Sequence, residues 1–161
     1  MTRFVKYARH PTDPNSHISA NSFIPYPTVF KTRDIEARRI RDIVEALPKM
    51  ERDRWFEKNS WPKDGYNQGG YAWCCENWGT KWDFANTSKP LELIEGGFVY
   101  TFDTAWSPPR PVVLKMSTLF PRLIFTLRYW EGGMAFKGTF KVHNGYILKD
   151  VSSHYFGGRG G

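Results

Sequence analysis

The clearest alternation of hydrophobic and polar positions begins near residue 96. Phe98, Tyr100 and Phe102 alternate with Val99, Thr101 and Asp103, the period of a strand. Val112, Val113, Met116, Leu119 and Phe120 then recur at helical spacing. Ser107 can cap that helix, Pro108 suits its first turn and Pro121 closes it. Residues 123–130 read as a second strand and residues 134–142 as a third, joined by a Gly132-Gly133 hairpin turn. Asn144-Gly145, a strong type I′ turn signal, leads into a fourth strand at Tyr146-Ile147-Leu148. The order strand, helix, strand, strand predicts an α+β fold. Its antiparallel sheet carries helices on one face and leaves the other face open.

Upstream the pattern is weaker. Residues 1–31 read as irregular. Residues 10–17 are dense in turn formers, and the prolines of Phe23-Ile24-Pro25-Tyr26-Pro27 push their predecessors out of the helical region. A helix is predicted from Asp34, which can cap free amides and complement the helix dipole. Ile40, Ile43, Val44 and Leu47 share one of its faces, Arg38, Arg39, Arg41 and Asp42 fill the rest, and Pro48 ends it. Residues 49–70 are polar, with a short helical turn around Trp55-Phe56 and a loop over 61–70. Tyr71-Ala72-Trp73-Cys74-Cys75 reads as a strand, and a loop follows through Pro90. The expected organisation is a single domain over residues 1–161. Residues 70–155 form its core, residues 1–69 an N-terminal segment with one amphipathic helix, and residues 156–161 a flexible tail.

Strand parity sorts the later side chains. Lys137, Thr139, Lys141 and His143 fall on one face of their strand, and Met134, Phe136, Phe140 and Val142 on the other. In the preceding strand Ile124, Thr126 and Arg128 oppose Phe125, Leu127 and Tyr129. The aromatic set is expected under the helices, leaving Arg128, Lys137 and Lys141 on the open face.

Charge adds to this picture. The 161 residues carry a formal net charge of +7, unevenly distributed. Segments 1–41 and 109–161 are basic, at +5 and +6, and segment 42–108 is acidic, at −4. One positive face made from both basic segments would suit nucleic acid or an acidic protein surface. Arg38 and Arg41 of the first helix would join Arg128, Lys137 and Lys141 in such a face. Cys74 and Cys75 are adjacent, too strained to bridge readily and too few for a zinc site. The expectation is a reduced, cytoplasmic protein. No apolar run approaches the roughly 20 residues of a membrane span, and no signal-peptide pattern follows Met1.

Two aromatic-polar motifs remain: Glu76-Asn77-Trp78-Gly79-Thr80-Lys81-Trp82-Asp83 and Thr104-Ala105-Trp106-Ser107-Pro108-Pro109. Together they resemble the hallmark of the YubB-type ferredoxin-like domain family of plasmid proteins and their bacteriophage relatives. The resemblance covers about residues 70–155 and implies a ferredoxin-like sandwich. It also implies a setting in a mobile element within a bacterial host cell, and it brings no established reaction. Physically, Trp78, Lys81, Trp82, Asp83, Thr104 and Trp106 can line a partner site, since aromatics with convergent polar groups are what binding sites use. They can equally knit a loop to the sheet, with indole N–H groups on carbonyls and Asp83 either pairing with Lys81 or accepting backbone amides. No phosphate-binding glycine loop, nucleophile elbow or metal-ligand spacing is present. The expectation is a non-enzymatic accessory protein without cofactor or metal. It would bind a host or mobile-element protein, a nucleoprotein complex included, as an inhibitor of a host defence system would. The alternative is direct nucleic-acid binding.

Overall fold

The computed structural model describes residues 2–6, 18–88, 91–92 and 97–158, with 2–6 and 91–92 as backbone only. The turn-rich stretch at 10–17, Pro90 and residues 159–161 of the predicted tail lie outside the described residues. The chain divides into two compact units. One comprises residues 1–25 with 74–161, the other residues 26–73.

The first unit holds a six-stranded antiparallel sheet in the order β2-β3-β1-β4-β5-β6. Its strands are β1 (Thr2–Lys6), β2 (Leu91–Glu92), β3 (Phe98–Phe102), β4 (Ile124–Glu131), β5 (Phe136–His143) and β6 (Tyr146–His154). Helix α4 (Arg110–Leu119) joins β3 to β4. The order β2-β3-β1-β4 with helical crossovers is that of a ferredoxin-like sandwich, and β5 and β6 extend it by a meander. Strand β1 falls in the region that reads as irregular. It holds only two adjacent apolar residues, Phe4 and Val5, and so shows no alternation. Pairing with β3 on one side and β4 on the other orders it.

Helix α4 packs on β4, β5 and β6. Val112, Val113 and Met116 meet the buried parity of the strands: Phe125, Leu127, Tyr129, Phe140 and Val142. Each such side chain contributes on the order of 1.5–3 kcal/mol by leaving water. Leu119 and Phe120, expected on the same apolar face, are instead partly exposed at the helix end. Pro109 rather than Ser107 precedes the helix. Arg110 fixes its start: Nη2 donates to Tyr129 Oη at 2.6 Å and lies 3.0 Å from Asp150 on β6. The β4–β5 turn spans residues 132–135, longer than Gly132-Gly133 alone, because the Glu131 carboxylate gathers the amides of Gly133 and Met134. Asn144 and Gly145 both have positive φ, as a type I′ turn requires. Beyond them β6 runs to His154, far past the predicted Leu148.

The second unit contains α1 (Thr28–Glu45) and α2 (Lys49–Lys58), and α3 (Tyr71–Asn77) begins at its end. Helix α1 starts six residues before Asp34, directly after Pro27. Asp34 is therefore no cap; its carboxylate accepts the Tyr66 amide at 2.9 Å. Residues 49–58 form a full helix in place of the expected short turn. Trp55, Phe56 and Trp61 cluster at centroid distances of 4.9–5.7 Å, and Arg41 lies 5.8 Å from the Trp61 ring. Tyr71-Ala72-Trp73-Cys74-Cys75 is helical, contrary to its aromatic, strand-like composition. Local propensity gives way where backbone hydrogen bonds can close within the segment.

Candidate functional site

The two aromatic-polar motifs form a knot between chain segments of the first unit. Gly79, at φ 74°, turns the chain out of α3, and a Cβ there would lie 2.8 Å from Pro111 Cδ. Thr80 is buried, and its hydroxyl accepts the Ala105 amide at 3.0 Å and donates to the Ala105 carbonyl at 3.3 Å. Ser107 Oγ donates to the Gly79 carbonyl, and Thr104 Oγ1 to the Ser107 carbonyl at 2.9 Å. A third segment is drawn in by Asp83. Its carboxylate accepts Ser19 Oγ at 2.6 Å, the Ala20 and Asn21 amides at 2.6 and 3.3 Å, and the Phe84 amide at 2.7 Å. Trp78 Nε1 donates to the Ile24 carbonyl at 2.7 Å.

This arrangement divides the candidate partner residues. Trp78 is 4% exposed, so it supports the knot from within. Asp83 and Thr104 spend their oxygens on internal bonds. Trp82 and Trp106 stand out from the same knot, 49% and 64% exposed, and Lys81 Nζ lies 4.5 Å from the Trp106 ring centroid. Trp106 holds a φ of 68°, a conformation that L residues with large side chains rarely adopt.

The sheet face opposite α4 is built differently. The register sets three rows across β4, β5 and β6: Trp130–Lys137–Ser153, Arg128–Thr139–Val151 and Thr126–Lys141–Lys149. Parity places these residues on the side away from Phe125, Leu127 and Tyr129. Arg128 stands diagonal to both Lys137 and Lys141, a spacing of about 7–8 Å. Lys141 and Lys149 stand directly opposite each other, a like-charge pair that destabilises a sheet unless an anion intervenes. The two carboxylates of β4–β6 are elsewhere. Glu131 holds the 132–135 turn and Asp150 pairs with Arg110. Among the described residues, Arg128, Lys137, Lys141 and Lys149 make no ion pair or side-chain hydrogen bond.

A groove of about 430 Å³ lies here, and its lining includes Arg128, Trp130, Lys137, Thr139, Val151 and Tyr155. The structure thus brings Arg128, Lys137 and Lys141 together. Arg38 and Arg41 belong to the other unit, where they line a small groove with Asp34 and Asp64. Two carboxylates beside them oppose phosphate binding there. Sequence reasoning missed Trp130 and Tyr155. Trp130 shares the parity of Arg128 and was readable, whereas Tyr155 depends on the unexpected length of β6.

Among the described residues, no three His, Cys, Asp or Glu side chains gather as a metal site requires. No helix among them is long and apolar enough to cross a membrane.

No curated protein matches the chain. A crystal structure of the protein Api92 from Yersinia pseudotuberculosis is similar, at 18% identity and a TM-score of 0.45, over 55% of this chain and 30% of that one. The match spans less than a third of that protein's length. Residues 77–155 match the family described as the ferredoxin-like domain in Api92-like protein, and this stretch of the chain carries a ferredoxin-like domain.

Proposed function

We propose that this chain is a non-enzymatic binding protein of a phage or plasmid, acting in the host cytoplasm, whose open sheet face grips nucleic acid. One observation carries the reading: four cations of β4–β6 share a face on which no carboxylate of these strands answers them. Three of them, Arg128, Lys137 and Lys141, cluster tightly enough to meet adjacent phosphates. Such contacts position a backbone without reading bases. The test is fluorescence anisotropy with a labelled oligonucleotide over a salt series. Binding should weaken steeply with salt, and R128Q/K137Q should lower the log–log slope by about 0.7–0.9 for each phosphate no longer held. Salt-insensitive binding, or none at low salt, overturns the reading.

A second reading is favoured by Trp82 and Trp106, two exposed rings on a hydrogen-bonded knot. Here the partner is a host or mobile-element protein, such as a component of a nuclease-type defence system. It predicts that W82S/W106S folds normally but loses a stoichiometric, nuclease-resistant partner. Retention of that partner by the double variant removes these rings from the site.

A further inference from the structure

Resting on the nucleic-acid reading, we infer that the groove across β4–β6 is a single-strand site, with bases stacked on Trp130 and Tyr155 and phosphates on Arg128 and Lys137. Lys137 lies directly across from Trp130 in the register, and Arg128 is two residues from Trp130 on the same face. Two of the register neighbours of Trp130 on this face are therefore cationic residues. Tyr155 enters one row beyond Ser153, held there by its amide on the Ala135 carbonyl at 2.7 Å. From Trp130 to Tyr155 is two strand spacings and one row, about 12 Å between Cα atoms. Among the described residues, the Trp130 indole makes no hydrogen bond or ring contact. It is half-buried and lines the groove.

The chemistry selects single strands. In a duplex the bases already stack on each other and present no face to an aromatic side chain. A single strand offers each base for stacking while its phosphates track the basic groove. Thr139 and Ser153 add hydroxyls at the groove floor but no pattern that would fix one base. The expected ligand is single-stranded nucleic acid with little sequence preference. An acidic peptide would satisfy the cations and leave the rings unused.

The experiment measures anisotropy with an oligothymidine of about 12 nucleotides and with a duplex of equal length, using the full chain. Wild type should bind the single strand at least tenfold more tightly. W130L should lose roughly 10- to 100-fold on the single strand, as removal of one stacking platform does. Its salt slope and its duplex affinity should not change. Y155S, placed beyond the last strand and so least able to disturb folding, should show the same split, and W130F should restore some of the loss. Equal affinity for both ligands, with W130L and Y155S indistinguishable from wild type, overturns the stacking site and leaves the electrostatic reading standing. Competition by polyglutamate as strong per charge as by oligothymidine also overturns it. Absence of salt-dependent binding to either nucleic acid overturns both.

Discussion

Asp83 should be a highly sensitive polar position. Its carboxylate accepts four hydrogen bonds and ties residues 19–21 to the loop after α3. The turn at Ala20–Ser22 has no side-chain cap of its own, so Asp83 supplies that role from across the unit. Ala20 is fully buried, and D83A strands its amide without solvent, at a cost of about 1–3 kcal/mol. The bonds from Ser19, Asn21 and Phe84 are only partly buried, and water can replace some of them. Together they bring the expected loss to about 3 kcal/mol, since hydrogen bonds to a charged group contribute about 1.5–3 kcal/mol when undisturbed. For a chain of this size that is a fall in Tm of about 6–12 °C. D83N keeps one acceptor oxygen but sets an NH2 against the Asn21 amide, so it should lose about 1–2 kcal/mol, and S19A about 1 kcal/mol. Urea denaturation would measure the series, and amide hydrogen exchange at Ala20 would locate it. A D83A protein within about 0.5 kcal/mol of wild type, or with Ala20 protection unchanged, refutes the reasoning.

Two other expected outcomes concern the sheet. G138A should destabilise markedly in denaturant titration, because its Cβ would lie 2.2 Å from Tyr129 Oη and 2.6 Å from the Val151 carbonyl, with backbone on one side; stability equal to wild type contradicts the packing described for β4–β6. Burial pushes the Tyr100 hydroxyl above its ordinary pKa of 10.0. The native state therefore holds this proton more tightly than the unfolded chain. The stability it contributes is complete below pH 10.0 and declines as pH rises from there through the raised native value. Y100F should flatten that alkaline decline, and an unchanged profile assigns the decline to other groups.

How much of this was legible depended on where the physics was local. From β3 onward, alternation, glycine turns and prolines set the elements, because each strand has one buried face and each turn needs a special backbone. The parity that puts Arg128, Lys137 and Lys141 on one face followed from the same alternation. Three features show why other parts were not legible. Strand β1 draws its order from partners far along the chain, Phe98–Phe102 on β3 and Phe125–Arg128 on β4. Residues 71–75 have the composition of a strand and the hydrogen bonding of a helix. Asp34 looked like a cap because the signal is a residue type, whereas its actual partner, the Tyr66 amide, lies 32 residues on. In the motif, both readings were open from the residues. The hydrogen bonds of Thr80, Asp83 and Trp78 assign these three to structure, and exposure separates Trp82 and Trp106 from them.

The central claim is that the face of β4–β6 away from α4 is where nucleic acid lands. The most direct test is a titration of the isotope-labelled protein with a short single-stranded oligonucleotide, following backbone amide signals by NMR. The account predicts that shifts concentrate at Arg128, Trp130, Lys137, Thr139, Lys141 and Val151, and that the amides of Trp82 and Trp106 stay in place. Shifts centred on Trp82 and Trp106, or a spectrum unchanged at low salt, would contradict it.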